Sequence, residues 1–432
     1  MSAPALPSLQ EIASCVSGYD PKALPVERAQ EFIARLVPAV QGVERLVIRS
    51  ALGRVLARDI VSGIDVPSHD NSAMDGYAFR GDDLQASQDT RFEVVGTGLA
   101  GQQFGGPAVG SGQCVRIMTG AVMPAGLDTV VPQEFVRPDG ERHVVVPPGV
   151  LRKGDNRRLA GEDLARGEAA LRAGRVLRPA DLGMLASLGH AEVAVRRRLR
   201  VAFFSTGDEL RSIGEPLDAG CVYDSNRYTL WAMLQRLGVE VLDMGVVRDD
   251  PAALEATFRA AAECADAVIT SGGVSVGEAD HTKAVMASLG DVLFWRIAMR
   301  PGRPMAIGRI ASGGRQAILF GLPGNPVAVM VTFYAFVRNA LLAMSGATAQ
   351  PLPMLRAASV QAIRKRAGRT EFQRGIVTRA PDGEWQVKIT GSQGSGILRS
   401  MSEANGLVVL SHEQGDVAVG ERVDVLPFDG LI

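Results

Sequence analysis

From Leu199 onwards the chain alternates short apolar segments with segments of helical periodicity, and this alternation constrains the fold more than any other feature. The apolar segments are rich in β-branched residues and have the length of buried strands. Strands that alternate with helices predict a mostly parallel sheet with helices on both faces. The predicted strands are Val201–Ser205, Glu240–Val246, Ala267–Thr270, Val292–Ala298 and Ala317–Phe320, and the predicted helices are Ser225–Leu237, Pro251–Cys264, His281–Leu289 and Pro326–Leu342.

Two regions of different character flank this α/β central domain, for which we expect the boundaries 196–348. Residues 1–195 are predicted to form a two-part region of mixed α+β and β-rich structure, with a small β domain inserted at about 60–150. After a proline-rich linker, residues 352–432 show strand-like segments and glycine-rich turns without helical periodicity. They predict a small C-terminal β-barrel.

Composition disfavours several classes of function. The 432 residues carry 46 Lys and Arg against 47 Asp and Glu, so nothing favours binding to nucleic acid. The 4 cysteines are far apart in the sequence, which predicts reduced thiols without a zinc site. The longest apolar run, Val327–Val337, predicts a buried helix, and the N-terminus does not resemble a signal peptide. We therefore expect a cytoplasmic protein without a membrane partner.

Acidic loops follow three of the predicted strands. Glu209 comes after the first strand, Asp249 after the second, and Glu278 and Asp280 after the third. The carboxyl ends of parallel strands meet at one edge of the sheet, where ligands bind. Crowded carboxylates repel one another unless a cation lies between them, and their oxygens suit Mg²⁺. Helix capping is the alternative role for each acid.

Glycines in the turn after the third strand allow a ligand to approach the backbone. Ser271, Gly272 and Gly273 form this turn, and backbone N–H groups in such a position can bind a phosphate. An ordinary strand-to-helix turn remains the alternative. His281, which follows Asp280, could act as an acid or base, or could be an ordinary residue at a helix N-terminus.

Two further loops offer anion binding. Arg300 and Arg303 lie in a rigid RPGRP turn and could hold a tetrahedral oxyanion through forked hydrogen bonds. The sequence GLPGNP, ending at Pro326, leads into a helix with Asn325 as its N-cap and its N-terminus open to an anion. A well-capped helix start explains GLPGNP equally well.

Further candidates lie in the N-terminal region. The polar loop DNSAMDGYA contains Asp75, and Thr119 follows an apolar strand in RIMTGAVMP. Each pattern also fits a simple turn. No Ser/His/Asp setting and no cysteine in an electropositive motif is evident, which favours metal-assisted reaction at a phosphate over a protein nucleophile.

Eight motifs stand in the same order as in the molybdopterin molybdenumtransferase family, which the chain resembles from about residue 8 to its C-terminus. The family includes the E domain of gephyrin. The motifs are DNSAMDGYA, RIMTGAVMP, FSTGDEL, YDSNR, RDDP, SGGVSVGEAD, RPGRP and GLPGNP. The resemblance implies that adenylated molybdopterin and molybdate react, with Mg²⁺, to give molybdenum cofactor and AMP. It also implies an elongated homodimer with a composite site between subunits.

The resemblance assigns roles to individual residues. The acids tied to activity in the family correspond to Asp75, Glu209, Asp249 and Asp280, of which the last three are expected to hold Mg²⁺, and a family active-site threonine corresponds to Thr119. Molybdate would bind at Arg300 and Arg303, where some members have lysine. Pro323 and Pro326 correspond to the prolines of the family's GLPGNP loop. The residue pattern itself, rather than the resemblance, places pterin and phosphate binding at Ser271, Gly272, Gly273, Gly324 and Asn325.

Some implications of the resemblance stay open. Some relatives carry a serine- and arginine-rich loop where this chain has SQGSG at 392–396, which leaves the contribution of that loop to the oxyanion site open. Molybdopterin adenylyltransferase and acceptor molybdoenzymes are candidate protein partners. An adenylyltransferase-like enzyme and a scaffold protein that binds partners are the alternative functions, and the long flanking regions argue against the first.

Overall fold

The computed structural model describes residue 12 and residues 23–274, 280–349 and 351–428. Glu278 therefore lies outside the described residues, and Asp280 is described only by its backbone. Within residues 23–195 the α-helices are α1 (Val26–Leu36) and α2 (Pro179–Ser187). Its strands are β1 (Val43–Val47), β2 (Ile60–Val61), β3 (Asn71–Ser72), β4 (Gly76–Phe79), β5 (Thr90–Gly98), β6 (Gln113–Ile117), β7 (Thr129–Pro132), β8 (Arg137–Asp139), β9 (His143–Val146), β10 (Arg157–Arg158), β11 (Ala169–Leu171) and β12 (Glu192–Arg196).

The N-terminal region consists of a small β domain and a set of short strand pairs. Six strands form one sheet in the order β7-β4-β6-β5-β9-β8, and β1 pairs with β12, β2 with β11 and β3 with β10. Helix α1 is amphipathic, with Val26, Ala29, Phe32, Ile33 and Leu36 on its buried face. Its buried face, including Phe32 and Leu36, packs into the same hydrophobic core as the central sheet.

The central domain contains the predicted alternation of strands and helices. Its strands are β13 (Arg200–Thr206), β14 (Leu210–Arg211), β15 (Val222–Tyr223), β16 (Glu240–Val247), β17 (Ala267–Ser271), β18 (Gly290–Arg296), β19 (Met299–Arg300), β20 (Pro304–Ser312) and β21 (Arg315–Leu322). Its helices are α3 (Ser225–Arg236), α4 (Pro251–Cys264), α5 (Asp280–Leu289), α6 (Pro326–Thr332) and α7 (Arg338–Met344), the last two joined by a π-helical segment at Phe333–Val337.

The central sheet is mostly parallel, as predicted. Its order is β16-β13-β17-β21-β20-β18, and β20 alone runs antiparallel to its neighbours. Adjacent residues of a strand point to opposite faces, and each face carries its own core. Phe203 packs with the core that includes α1, α3 and α6, whereas Phe204 packs with the core of α4 and α5. Helices on both faces confirm the predicted fold class.

Strand β20 is missing from the predicted strands. Its sequence PMAIGRIAS interrupts the apolar pattern with a glycine and an arginine. Gly308 is required there because a Cβ would lie 2.2 Å from the carbonyl oxygen of Asp291 on β18. The close approach of two backbones, which a single sequence does not reveal, explains a glycine inside this strand.

Of the described residues, the stretch Pro326–Met344 forms the one helix with the length and apolar composition needed to cross a membrane. It has 19 residues, and 72% of its apolar stretch is buried inside the protein. It packs in the core between the central sheet and α1, which agrees with the predicted buried helix, although the helix extends beyond the predicted Leu342.

The C-terminal domain is the predicted small β-barrel. Its elements are β22 (Leu355–Ser359), β23 (Thr370–Arg379), β24 (Trp385–Ile389), α8 (Leu398–Glu403), β25 (Gly406–Leu410) and β26 (Arg422–Pro427). The order β23-β24-β22-β26-β25 closes because β25 pairs back with β23. Strand β19 of the central domain joins β23, with Arg300 opposite Glu371. The arginine turn is therefore fixed to the barrel.

Candidate active site

The loops after β13 and β16 are tied together at the carboxyl edge of the central sheet. The Thr206 hydroxyl donates a hydrogen bond to the carboxylate of Asp249. The backbone N–H of Asp249 donates to Oδ1 of Asp208 at 3.3 Å. Asp250 caps α4 by accepting from the N–H of Ala253 at 2.8 Å. Two acids of this edge therefore serve loop structure, and Asp249 retains a carboxylate oxygen for a ligand.

The glycine turn after β17 packs tightly against its neighbours. Gly272 has φ of +98°, and a Cβ there would lie 2.4 Å from the carbonyl oxygen of Thr206. Its N–H donates to the carbonyl oxygen of Leu322 at 3.1 Å. Only glycine fits this position. Because the N–H of Gly272 is already used, a phosphate at this turn would have to use another N–H group, such as that of Gly273.

Asn226 connects the glycine turn to the GLPGNP loop. Its amide nitrogen donates to Oγ of Ser271 at 2.8 Å and to the carbonyl oxygen of Gly324 at 2.6 Å. Its side chain is buried, and its Oδ1 has no hydrogen-bond partner among the residues with described positions. Asn226 is not among the predicted site residues. Its signal in the sequence is the polar start of α3, where Asp224 is the N-cap.

The RPGRP turn and the GLPGNP loop both line a cavity of about 520 Å³. Arg296, Arg300 and Arg303 line it, and none of the three has an ion-pair partner in the described part of the chain. Other arginines of the domain are paired, for example Arg227 with Asp243 at 2.8 Å. An open cavity with unpaired guanidinium groups is suited to an anion. The remaining lining residues are Pro301, Gly302, Pro304, Pro323, Gly324, Asn325, Ala328, Gln393, Gly394 and Ser395.

The start of helix α6 is only partly open to a ligand. Asn325 is the N-cap residue, as predicted, but its side chain makes no capping hydrogen bond, and Pro326 occupies the first turn. The N–H of Val327 donates to the carbonyl oxygen of Ser395 at 3.1 Å. The C-terminal SQGSG loop thus docks on this helix start and contributes a wall of the arginine cavity.

Arg374 on β23 holds the SQGSG loop in place. Its guanidinium is fully buried and donates to the carbonyl oxygens of Ser392, Gln393 and Gly394 at 3.2, 3.2 and 2.9 Å. Burial, together with the nearby charge of Arg300, lowers the pKa of Arg374 to about 10, so it is protonated at neutral pH. Arg374 is a second residue absent from the sequence-based candidates. Its partners lie 18 to 20 positions away in the sequence.

Asp75 and Thr119 meet in the N-terminal region. Oδ1 of Asp75 accepts from both the backbone N–H and the hydroxyl of Thr119, each at 2.7 Å. These hydrogen bonds, the backbone one foremost, lower the pKa of Asp75, and the charge of Arg116 acts in the same direction. No hydrogen bond or ion pair among the described residues connects this pair to the edge of the central sheet.

The metal site stays a prediction. The described residues contain no group of three or more His, Cys, Asp and Glu side chains that could hold a metal ion. Glu209 lies over Gly207, where a Cβ would be 2.5 Å from Oε2, and Asp249 is bonded to Thr206. Asp280 begins α5, and its side chain lies outside the described positions. Glu209 and Asp249 are exposed oxygen donors on neighbouring loops, which suits Mg²⁺.

Three family models match consecutive parts of the chain. They are described as "MoeA N-terminal region (domain I and II)", matching residues 24–189, "Probable molybdopterin binding domain", matching 202–343, and "MoeA C-terminal region (domain IV)", matching 356–428. A crystal structure of the molybdopterin biosynthesis moeA protein from Pyrococcus horikoshii OT3 matches with a TM-score of 0.78 and 29% identity. The match covers 94% of this chain and 99% of that one.

Curated relatives match over nearly their whole length. The molybdopterin molybdenumtransferase of Haemophilus influenzae is 42% identical over 410 residues, which are 95% of this chain and 100% of the relative. That of Nostoc sp. is 37% identical over 412 residues, 93% of each chain. The chain therefore belongs to the molybdopterin molybdenumtransferase family, whose members are enzymes of molybdenum-cofactor biosynthesis.

Proposed function

We propose that this enzyme inserts molybdate into adenylated molybdopterin, with release of AMP, to form molybdenum cofactor. The observation that carries the proposal is the cavity lined by Arg296, Arg300 and Arg303 without carboxylate partners among the described residues. A tetrahedral dianion such as molybdate would supply the missing negative charge. Molybdopterin is proposed as the pterin substrate because the relatives are named molybdopterin molybdenumtransferase.

The two arginines of the RPGRP turn would bind and orient the molybdate. A guanidinium group can donate two parallel hydrogen bonds to one oxyanion and stays charged at all relevant pH values. The SQGSG loop, held by Arg374, forms a further wall of the cavity. The RPGRP turn, the GLPGNP loop and the SQGSG loop all line the cavity. Together they would place the oxyanion beside the dithiolene sulfurs of the pterin.

The glycine turn would hold the phosphate of the pterin. Ser271 is fixed by Asn226, and Gly273, with φ of +70°, packs against the side chain of Thr282, where a Cβ would lie 2.7 Å from Cγ2. During the reaction the bond between the two phosphates breaks, and AMP leaves with the bridging oxygen. Water, or an oxygen of molybdate that the dithiolene sulfurs displace from molybdenum, would form the new bond to phosphorus on the pterin phosphate, and the protons released from water or from the thiols would pass to solvent.

Mg²⁺ is part of the proposal. Bound near Glu209, Asp249 and Asp280, it would neutralise the charge that develops on the phosphates as the bond breaks. The chain's own contribution is to hold carboxylates on adjacent loops. The Thr206 hydroxyl fixes the orientation of Asp249, and Asp208 fixes its backbone.

Asp75 and Thr119 are proposed to complete the site from a second copy of the chain. Within one copy, the described residues show this pair bonded to each other and not to the central edge. A homodimer in which the N-terminal region of one subunit covers the sheet edge of the other would bring them together. A cytoplasmic location, supply of substrate by an adenylyltransferase and transfer of the product to molybdoenzymes belong to the same proposal.

Release of AMP tests the proposal. Purified protein is incubated with adenylated molybdopterin, molybdate and Mg²⁺, and AMP and molybdenum cofactor are quantified by chromatography. We expect both products in equal amounts, and neither from the Asp249→Ala variant. Asp382→Ala, in an exposed turn of the barrel, is the matched control. Absence of AMP from the wild-type protein, or full turnover by Asp249→Ala, would overturn the proposal.

A further inference from the structure

One buried carboxylate among the described residues has no counter-charge. Asp181 is 3% exposed and pairs with Arg175 at 2.8 Å. Glu371 is 2% exposed and pairs with Arg369 at 2.7 Å. Asp224 is also 3% exposed, but it forms no ion pair in the part of the chain that the structure describes. Because desolvation of a charge is costly, a buried carboxylate is normally paired or bound to a metal ion.

The two arginines that contact Asp224 through their backbone have side chains engaged elsewhere. The N–H of Asp224 donates to the carbonyl oxygen of Arg211 at 3.0 Å, and Oδ1 of Asp224 accepts from the N–H of Arg227 at 3.0 Å. The guanidinium of Arg211 donates to two backbone carbonyl oxygens of its own loop. That of Arg227 pairs with Asp243 at 2.8 Å. Asp224 is thus the N-cap of α3, and its Oδ2 makes no hydrogen bond among the described residues.

Two further polar atoms near the start of α3 share this lack of a partner. Asn226 is 8% exposed and Ser205 is fully buried. Neither Oδ1 of Asn226 nor Oγ of Ser205 has a hydrogen-bond partner within the described ranges. The amide nitrogen of Asn226 faces Ser271 and the carbonyl oxygen of Gly324. Since a carbonyl oxygen only accepts, Oδ1 of Asn226 points away from Gly324.

The fold places these atoms on one face of the sheet, at the ends of two strands. Ser205 and Ser271 are register partners on β13 and β17, and Asn226 is bonded to Ser271. Phe203, two positions before Ser205 and therefore on the same face, packs in the core that includes α3. Ser205, Asn226 and Asp224 therefore meet where the start of α3 covers the ends of β13 and β17.

The charge of Asp224 favours a cation over a water molecule at this place. A water would donate to Oδ2 and to Oδ1 of Asn226 and would accept from the Ser205 hydroxyl, but it would leave the carboxylate without a counter-charge. Carboxylate, amide and hydroxyl oxygens are hard donors that bind hard cations. With one carboxylate, a monovalent ion balances the charge, whereas a divalent ion would bury a net positive charge. The positive end of α3 is the alternative compensation, and it predicts no dependence on cations.

We propose that Asp224, Asn226 and Ser205 bind a monovalent alkali cation, Na⁺ or K⁺, between the start of α3 and the ends of β13 and β17. This site is separate from the Mg²⁺ proposed for the acidic loops. It does not depend on the proposed function, because its ligands and its charge belong to the folded chain without substrate. The cation would tie α3 to the sheet and so hold Asn226 against Ser271.

Thermal unfolding of the full-length protein in different salts tests the proposal. With EDTA present to remove divalent ions, we expect the midpoint to be higher in NaCl or KCl than in choline chloride of equal ionic strength, by about 2 °C or more. The salt that gives the larger rise identifies the ion. Asp224→Asn keeps a good N-cap but removes the charge, so its midpoint should be equal in all three salts. Asp250→Asn, the same change at the exposed N-cap of α4, is the matched control and should respond like the wild type.

Two further arms sharpen the test. Ser205→Ala removes one ligand, so the cation concentration for half of the rise should increase about fivefold. Mg²⁺ in choline chloride without EDTA should not reproduce the part of the rise that depends on Asp224.

Equal wild-type midpoints in the choline, sodium and potassium salts would overturn the cation and leave a buried water. A rise that persists in Asp224→Asn would overturn the site, because the ion would then bind elsewhere. Should Asp224→Asn fail to fold, an unchanged half-saturating concentration in Ser205→Ala would overturn the site in the same way. An Asp224-dependent rise with Mg²⁺ alone would contradict the choice of a monovalent ion.

Discussion

The side-chain amide of Asn226 donates a hydrogen bond to the hydroxyl of Ser271 at 2.8 Å, and its second hydrogen goes to the carbonyl oxygen of Gly324 at 2.6 Å. One buried side chain therefore bridges the glycine turn and the GLPGNP loop. These are the two loops that we assign to the phosphate and to the wall of the oxyanion cavity. The pairing of β17 with β21 and the hydrogen bond from the Gly272 N–H to Leu322 tie the same two loops, and the Asn226 amide adds a side-chain link between them.

Replacement of Asn226 should therefore damage stability and function together. Asn226→Ala leaves Ser271 and the Gly324 carbonyl without their donor, at an expected loss of about 2 kcal/mol in the free energy of unfolding. Asn226→Asp should be worse, because a carboxylate places an acceptor against the carbonyl oxygen. Urea denaturation measures the free energy of unfolding of both variants. Gln41→Ala, which removes an exposed amide, should change the free energy by less than about 0.5 kcal/mol. Wild-type stability of Asn226→Asp would contradict the role of the amide.

The pKa of Asp75 should respond to Thr119. Both hydrogen bonds from Thr119 favour the charged carboxylate, which lowers the pKa of Asp75 below its ordinary value. Thr119→Ala removes the hydroxyl but keeps the backbone N–H, so we expect the pKa to rise without reaching the ordinary value. NMR titration of the Asp75 carboxyl carbon reports the shift. A pKa unchanged by Thr119→Ala would show that the hydroxyl bond is not formed in solution.

Arg374 should be needed for the docked position of the SQGSG loop. Arg374→Met keeps much of the side-chain volume but leaves the carbonyl oxygens of the loop without donors, and we expect a loss of about 3 kcal/mol. Faster amide hydrogen exchange at 392–396 and weaker tungstate binding should accompany it. Arg356→Met removes an exposed arginine that pairs with Asp424 at 3.3 Å, and should cost less than about 1 kcal/mol. Unchanged hydrogen exchange of the loop in Arg374→Met would contradict this assignment.

Acid should weaken the ion pair between Arg197 and Asp266 at the opposite edge of the sheet. Burial alone would raise the pKa of Asp266, but hydrogen bonds from Arg197 and from the N–H of Arg200, with the charges of both arginines, lower it overall. Because the folded-state pKa lies below the unfolded one, the pair stabilises fully above about pH 4 and loses this contribution as the pH falls further.

The comparison of Asp266→Asn with the wild type measures that contribution. The variant should be less stable by about 2 kcal/mol at pH 7, and the difference should shrink below about pH 4 as the wild-type carboxylate becomes protonated. Glu192→Gln, an exposed carboxylate on β12, serves as the control. If the difference in the free energy of unfolding between wild type and Asp266→Asn stays constant from pH 7 to pH 2.5, the ionised pair is not the source of that difference.

The sequence predicted most of the central sheet because the signals for strands and helices are local. Pro251–Cys264 has the predicted bounds, since a capping aspartate and a proline mark its start. The rule for parallel strands predicts Glu209, Asp249 and Asp280 at one edge of the sheet. Of the three, Glu209 and Asp249 lie on neighbouring loops there, and the side chain of Asp280 lies outside the described positions. Local patterns were sufficient for these elements.

Contacts between residues far apart in the chain could not be predicted from the sequence. Asn226 and Gly324 are 98 positions apart, and nothing near either residue indicates the other. Arg374 is an arginine within a strand of the barrel, and only the fold shows that β23 joins β19 beside the arginine turn. The hydrogen bond from the Gly272 N–H to the carbonyl oxygen of Leu322 likewise depends on the pairing of β17 with β21.

The dependence of AMP release on molybdate concentration tests the central claim most directly. Purified wild-type protein and the variants Arg300→Gln, Arg303→Gln and Arg300→Gln/Arg303→Gln are assayed with saturating adenylated molybdopterin and increasing molybdate. We expect the molybdate concentration for half-maximal release to rise at least about tenfold in each single variant, from loss of charge-assisted hydrogen bonds, and further in the double variant. AMP release that is independent of molybdate, or equally sensitive to it in the double variant, would contradict an oxyanion site between these arginines.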